Sequence, residues 1–237
     1  YKIMVCISEN SREKELQYIA LLYSHRVLGI VVCSHIGETM EHLDSNCPLI
    51  SFEREIAENI PAVLCDNYQG GILAANRLFD AGCRNIAIFN PPTKEDIPAY
   101  SREKAFMKCC EDKKISGRVV YTDRLAPLSE EFGNNILELL KKNSDLDGIF
   151  ATSDVMAANI IRACKKMGKR VPEDISIVGF DDTWISTLTY PSITTIHQPV
   201  QEMCEYAIEA IVKKVKSEKV PSQVVFPVEL IDRESTK

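Results

Sequence analysis

The sequence predicts an α/β protein built from parallel-sheet βα units, and three observations carry that prediction. Short β-branched runs of strand length alternate with helix-period segments of about ten to fifteen residues, the pattern of βαβ units. One such series ends near Asn90-Pro91-Pro92, and a second follows it. The stretch VPEDISIVGFDDT, residues 171–183, opens on a proline turn, runs through a short apolar strand and ends in glycine, phenylalanine and two adjacent carboxylates. A buried parallel strand that ends this way delivers its last side chains to the rim where open α/β sheets hold ligands.

Taken in order, residues 2–7 (KIMVCI) form an apolar run of strand length, and residues 13–25 place Leu16, Ile19, Leu22 and Tyr23 on one helical face. Strands are expected at 28–33, 49–52 and 62–65, with a short polar segment at 38–44. A helix over 69–81 then closes on Gly82 and leads to a strand at 85–89. The second series reads as helix 100–113, strand 118–121, helix 129–143, strand 148–151, helix 154–167 with Gly168 as its stop, and strand 175–178. A strand at 193–196 precedes an amphipathic helix from Val200 to about Ser217, whose stripe is Met203, Cys204, Ala207, Ile208, Ile211, Val212 and Val215. Residues 224–231 supply one or two last strands. Periodicity alone fits either two lobes or one doubly wound sheet.

Composition narrows the function. With 237 residues and 45% apolar content the chain can bury a sizeable core. A net charge of −6 argues against a nucleic-acid surface within these residues, because phosphate contacts need clustered Lys and Arg. The basic concentration at Lys213, Lys214, Lys216 and Lys219 falls late in a helix, where cations suit the dipole. Nine cysteines lie without CxxC or Cys/His metal spacing and read as small buried hydrophobes of a reducing, cytoplasmic compartment. The histidines, among them His25, His35 and His42, have no ligand set, so no metal is expected. No run approaches membrane-spanning length, and residues 1–9 lack the pattern of a signal peptide. Asp66-Asn67 before a glycine pair fits neither GxGxxG nor a P-loop and reads as turn and cap chemistry. No nucleophile with a base, metal set or nucleotide loop is present, so neither catalysis nor a cofactor is expected.

Residues 171–183 closely resemble a signature of the effector-binding core of the LacI/GalR family of bacterial transcription regulators. The likeness continues in register through Asp66-Asn67-Tyr68-Gln69-Gly70, residues 82–88 (GCRNIAI), 102–106, Ser153-Asp154-Val155-Met156-Ala157, 191–199 (PSITTIHQP) and Arg233-Glu234-Ser235. It implies a type I periplasmic-binding-protein-like fold of two lobes joined by three crossings, the first lobe being 1–90 plus 199–219 and the second 91–198 plus 220–237. The crossings fall at Asn90-Pro91-Pro92, His197-Gln198-Pro199 and Val220-Pro221 on this reading. An opening βα unit and a helix-turn-helix headpiece, which such regulators carry, have no counterpart in the sequence.

The resemblance also selects site residues. Arg102 is similar to an arginine near the start of the second lobe's first helix that reaches into the cleft, where its planar fork suits vicinal hydroxyls or a carboxylate. Asp181, at a strand end, can accept hydrogen bonds from sugar hydroxyls or pair with Arg102. Ser153 and Asp154 follow a strand and precede a helix, so capping accounts for them as well as ligand contact does. Trp184 offers an aromatic face for a pyranose or base, Gln198 lies at the second crossing, and Asp182 reads as structural. The implied function is an effector-sensing, homodimeric repressor core that binds a sugar or related metabolite and meets DNA only through its headpiece. The alternatives are a solute receptor of a sugar transporter, which shares the fold, and an α/β enzyme acting on a sugar or nucleotide.

Overall fold

The computed structural model describes residues 2–9, 11–33, 47–92 and 97–237. The polar segment at 38–44, His35 and His42 lie outside the described residues. In chain order the elements are α1 (Arg12–Ser24), β1 (Ile30–Val32), β2 (Leu49–Phe52), β3 (Ala62–Cys65), α2 (Asn67–Asp80), β4 (Asn85–Asn90), α3 (Tyr100–Lys113), β5 (Ser116–Tyr121) and α4 (Glu130–Lys142). There follow β6 (Gly148–Ala151), α5 (Asp154–Lys166), β7 (Ser176–Asp181), α6 (Trp184–Leu188), β8 (Thr194–His197), α7 (Val200–Val215), β9 (Gln223–Phe226) and β10 (Glu229–Ile231).

The chain divides into two compact units, the first formed by Tyr1–Cys65 with Val200–Phe226 and the second by Asp66–Pro199 with Pro227–Lys237. The first holds a parallel sheet in the order β1-β2-β3-β9. The second holds β10-β8-β7-β6-β4-β5, parallel except for β10, which runs antiparallel to β8. Local signals set the element ends. Ser11, Asp66, Ser129 and Ser153 each accept a backbone N–H three residues on, opening α1, α2, α4 and α5. Gly82 (φ +88°) and Gly168 (φ +73°) take the left-handed conformation that stops α2 and α5.

Three expectations need correction. Residues 2–7 are not a strand: Ile3, Val5 and Ile7 are exposed, and no described strand supplies the ladder that such a run requires. The division along the chain falls at Cys65/Asp66 and not after residue 90, because β4 takes its hydrogen bonds between β5 and β6 and brings α2 with it into the second unit. Likewise the last passage is at Phe226/Pro227, since β9 pairs with β3 over four residues. The middle passage is at Pro199/Val200, one residue past the 198/199 boundary that the resemblance implies. α6, five residues long, is too short to leave a periodic signal.

Packing in the second unit turns on the glycine pair that opens α2. A Cβ at Gly70 would stand 2.7 Å from the Phe180 ring, and one at Gly71 would stand 2.3 Å from the Arg102 carbonyl oxygen. The pair is therefore a socket for β7 and α3, not a phosphate loop. Below it Phe106 stacks on Phe150 at 5.8 Å between ring centres, and Phe150 tilts against Phe180 at 6.3 Å. Gly71→Ala is expected to lower stability by about 1–3 kcal/mol through overpacking against a backbone atom. A urea titration should show a lower midpoint at unchanged slope.

Candidate functional site

The carboxyl ends of β4, β6, β7 and β8 gather the polar residues of the second unit at one rim of its sheet, and all six residues selected from the sequence lie in these segments or the helices they feed. Arg102, in the first turn of α3, is 7% exposed. Its Nε donates to Asn67 Oδ1 at 2.5 Å and its Nη1 to the Thr152 carbonyl at 3.1 Å. The guanidinium lies flat enough over Phe180 for its carbon to be 3.5 Å from the ring centre. Nη2 has no hydrogen-bond partner among the described residues, which makes it the edge a ligand can use.

Phe180 leads directly into Asp181, so the ring that carries the guanidinium also sets the place of the carboxylate. Asp181 (φ +100°) and Asp182 (φ +53°) are consecutive non-glycine residues of positive φ, and the first lies outside the small left-handed well. This kink turns the two carboxylates different ways. Asp181 accepts from Gln198 Nε2 at 2.5 Å, which ties the ends of β7 and β8 together. Asp182 faces the fold: it accepts from Arg233 Nη2 at 2.7 Å, His197 Nδ1 at 3.0 Å and Ser186 Oγ at 3.2 Å.

Ser153 caps α5 through Met156 N at 3.2 Å. Asp154 is fully buried. One of its oxygens takes Thr195 Oγ1 at 2.6 Å, and the other takes the Thr183 amide at 2.6 Å and its hydroxyl at 3.1 Å. A Cβ at Gly179 would fall 2.5 Å from Asp154 Oδ1, so the glycine of VGFDD is the opening through which this carboxylate fastens β6 to β7 and β8. Asp154 thus has no surface to give a ligand, and its place among candidate contacts is corrected to that of a brace. Trp184, 71% exposed, opens α6 two residues beyond the carboxylate pair.

A polar relay that no local sequence signal marks, buried at Asn90 and Glu103, runs beside Arg102. Thr152 Oγ1 donates to Asn90 Oδ1 at 3.2 Å, Asn90 Nδ2 to Glu103 Oε2 at 3.0 Å, and Tyr121 Oη to Glu103 Oε1 at 2.9 Å. Asn67 was read as cap chemistry; Asp66 is the cap, and Asn67 holds the arginine. In the first unit, Glu53 (φ +53°) and Arg54 follow β2 in the same relation to their sheet, with Glu53 Oε1 accepting the Cys65 amide at 2.5 Å. A charged pair directly after a buried strand was the available signal for them. Among the described residues no group of three or more His, Cys, Asp or Glu could hold a metal ion.

Residues 75–236 match the family described as periplasmic binding protein-like domain. The chain is 31% identical to the ribose operon repressor of Halalkalibacterium halodurans over all of its own length and 71% of the relative's. It is 29% identical to the sucrose operon repressor of Lactococcus lactis, over 97% of this chain and 70% of that protein. A solved periplasmic binding protein/LacI transcriptional regulator from Alkaliphilus metalliredigens, complexed with D-xylulofuranose, is 32% identical, with a TM-score of 0.87 over 100% of this chain and 88% of its own.

The two structural carboxylates respond to pH in opposite senses. Burial pushes Asp154 above its ordinary value, against the bonds from Thr195 and Thr183. Burial works the same way on Asp182, but the bonds from Arg233 and His197 and the charge of Arg233 together hold it below its ordinary value. A depressed carboxylate contributes stability above its unfolded pKa and loses it as pH falls through the folded value. Asp182→Asn is therefore expected to cost about 1–3 kcal/mol at neutral pH. The difference in urea midpoint between parent and variant should narrow below about pH 4; a difference that widens in acid would contradict the assignment.

Proposed function

The chain belongs to the periplasmic binding protein-like domain family, with LacI-type transcription regulators among its relatives, and from that premise we propose that it is the sugar-sensing core of a transcription repressor. The observation that carries this reading is the Arg102 guanidinium, fixed on Phe180 beside the Asp181–Gln198 pair at adjoining strand ends. A planar donor fork and a carboxylate with about four acceptor positions suit the alternating donors and acceptors of vicinal hydroxyls. Trp184 supplies an exposed ring for the apolar face of a sugar. Ser153 and Gln198 complete the direct contacts we assign, and Asp154 supports them from beneath.

The relatives matched along the chain are operon repressors of ribose and sucrose, which favours a regulator over a transporter receptor. The same relatives support a non-catalytic, cytoplasmic protein. No helix among the described residues is long and apolar enough to cross a membrane. DNA contact is assigned to a separate helix-turn-helix module and not to this chain, whose net charge is −6.

A second copy of the chain is the proposed macromolecular partner. Leu188, the last residue of α6, and Tyr190, two residues on, are 72% and 91% exposed, and large exposed apolar side chains so near in sequence suit an interaction face. A two-fold dimer would cover it with the same patch of its mate.

D-ribose, D-xylulose and sucrose should be screened by thermal shift, where a sugar at a hundred times its Kd adds about 2.7 kcal/mol. At least one is expected to raise Tm; silence from all three would refute the sugar assignment. Arg102→Ala is a poor test because it also removes three supports of the fold, so Arg102→Lys is the informative variant. It keeps the charge without the fork and is expected to weaken the responding sugar at least tenfold, about 1.4 kcal/mol, by calorimetry. Leu188→Glu should shift sedimentation from dimer towards monomer while the sugar response of the monomer persists.

A further inference from the structure

Nine cysteines are present, and only Cys33 and Cys204 are exposed. Both belong to the first unit, and three features of its packing bring them together. A Cβ at Gly29 would stand 2.6 Å from Ile211 Cγ2, so the face of β1 that carries Gly29 looks at α7. Alternation along an extended chain puts Val31 and Cys33 on that same face, while Ile30 and Val32 pack the other way, against Leu22 and Tyr23 of α1. On α7, Cys204 lies seven residues before Ile211 and so on the same helical stripe.

α7 feeds β9, which is parallel to the rest of the sheet, and as a crossover helix it runs antiparallel to β1. From the Gly29/Ile211 contact, four strand residues reach about 13 Å to Cys33. Seven helical residues reach about 10.5 Å in the same direction to Cys204. The two side chains therefore lie at the same end of the strand–helix contact. Partial desolvation, and after it the neighbouring Cys204, raise the Cys33 thiol above its ordinary value.

We infer that Cys33 and Cys204 form an oxidisable dithiol that closes into a disulfide joining the end of β1 to the first turns of α7. Of the others, Cys47 packs with Ile30 on the opposite face of the sheet, Cys65, Cys83, Cys110 and Cys164 are buried, Cys109 lies in the second unit with its thiol on Asn76 Oδ1, and Cys6 is only partly exposed. With a hydroperoxide as oxidant, one thiolate attacks the peroxide O–O bond, giving a sulfenic acid and water or an alcohol. The second thiol displaces the sulfenic oxygen as water. Two S–H bonds are lost, one S–S bond forms, and two electrons pass to the peroxide. This site is separate from the sugar rim and does not depend on the function proposed above.

The test treats the reduced, sugar-free full chain with hydrogen peroxide, blocks residual thiols with N-ethylmaleimide and maps the digest by mass spectrometry. A Cys33–Cys204 linked peptide that disappears on reduction, with two fewer alkylated thiols per chain, is the expected result. Cys204→Ser should abolish the link and leave Cys33 open to mixed-disulfide formation with oxidised glutathione. Dibromobimane, which becomes fluorescent on bridging two nearby thiols, checks proximity without oxidation and should label the parent but not Cys204→Ser. Oxidation that leaves both thiols alkylatable, or that links Cys33 to Cys47, would overturn the inference.

Discussion

The face of Phe180 under the Arg102 guanidinium is the contact on which the rim of the second unit depends. At 3.5 Å and largely out of water, such a cation–π pair is worth about 2 kcal/mol. Its greater effect is geometric. The ring can occupy this place only because Gly70 has no side chain, and α3 can bring Arg102 over it only because Gly71 has none. Asn67 and Thr152 then fix the rotation of the fork from two other elements. Two glycines, one aromatic and two hydrogen-bond acceptors thus specify a single arginine conformation before any ligand arrives, and that ordering cost is met in folding.

The motif stretches that stand apart in the sequence prove to be parts of one assembly. Asp182 of VGFDD receives Arg233 of the terminal RES run and His197 of PSITTIHQP. Ser235 donates to the Ile177 carbonyl at 2.6 Å and accepts the Thr194 amide at 2.8 Å, so the last residues lie across β7 and β8 as a strap. Asp154 holds the same strands from the β6 side. A buried carboxylate is costly unless its oxygens are satisfied; both structural carboxylates are satisfied by residues from other elements, which is why they fix the geometry of the rim.

Apart from α6 and the last three residues of β7, the strands and helices of the second unit were legible to within a residue or two, because most carry both a period and punctuation: Ser129 and Ser153 at the starts, Gly82 and Gly168 at the stops. The division of the chain was less so. Nothing in the local run NIAIFN tells which sheet it will join; β4 is assigned by its partners β5 and β6, which lie later in the sequence. Residues 2–7 fail for the related reason that apolar alternation states a capacity for pairing and not the existence of a mate. At the site, Arg102 and Gln198 were nameable through the family resemblance, and Asp181 through its strand-end position as well. Glu103, Asn90 and Asn67 could not, since a buried polar side chain earns its place through neighbours distant in sequence.

An effector moves a two-state protein only by binding one state better than the other, so a group with identical partners in both states gives affinity without response. Arg102 is such a group: its supports all come from within the second unit. Asp181 is also held from within the second unit, but by Gln198 among others, which stands one residue before the Pro199/Val200 passage to the first unit. A sugar hydroxyl offered to the Asp181 carboxylate shares it with the Gln198 amide and so acts on the chain just ahead of that passage. Within the proposed function, recognition is therefore assigned to the arginine held from three elements, and response to the carboxylate whose partner adjoins the passage.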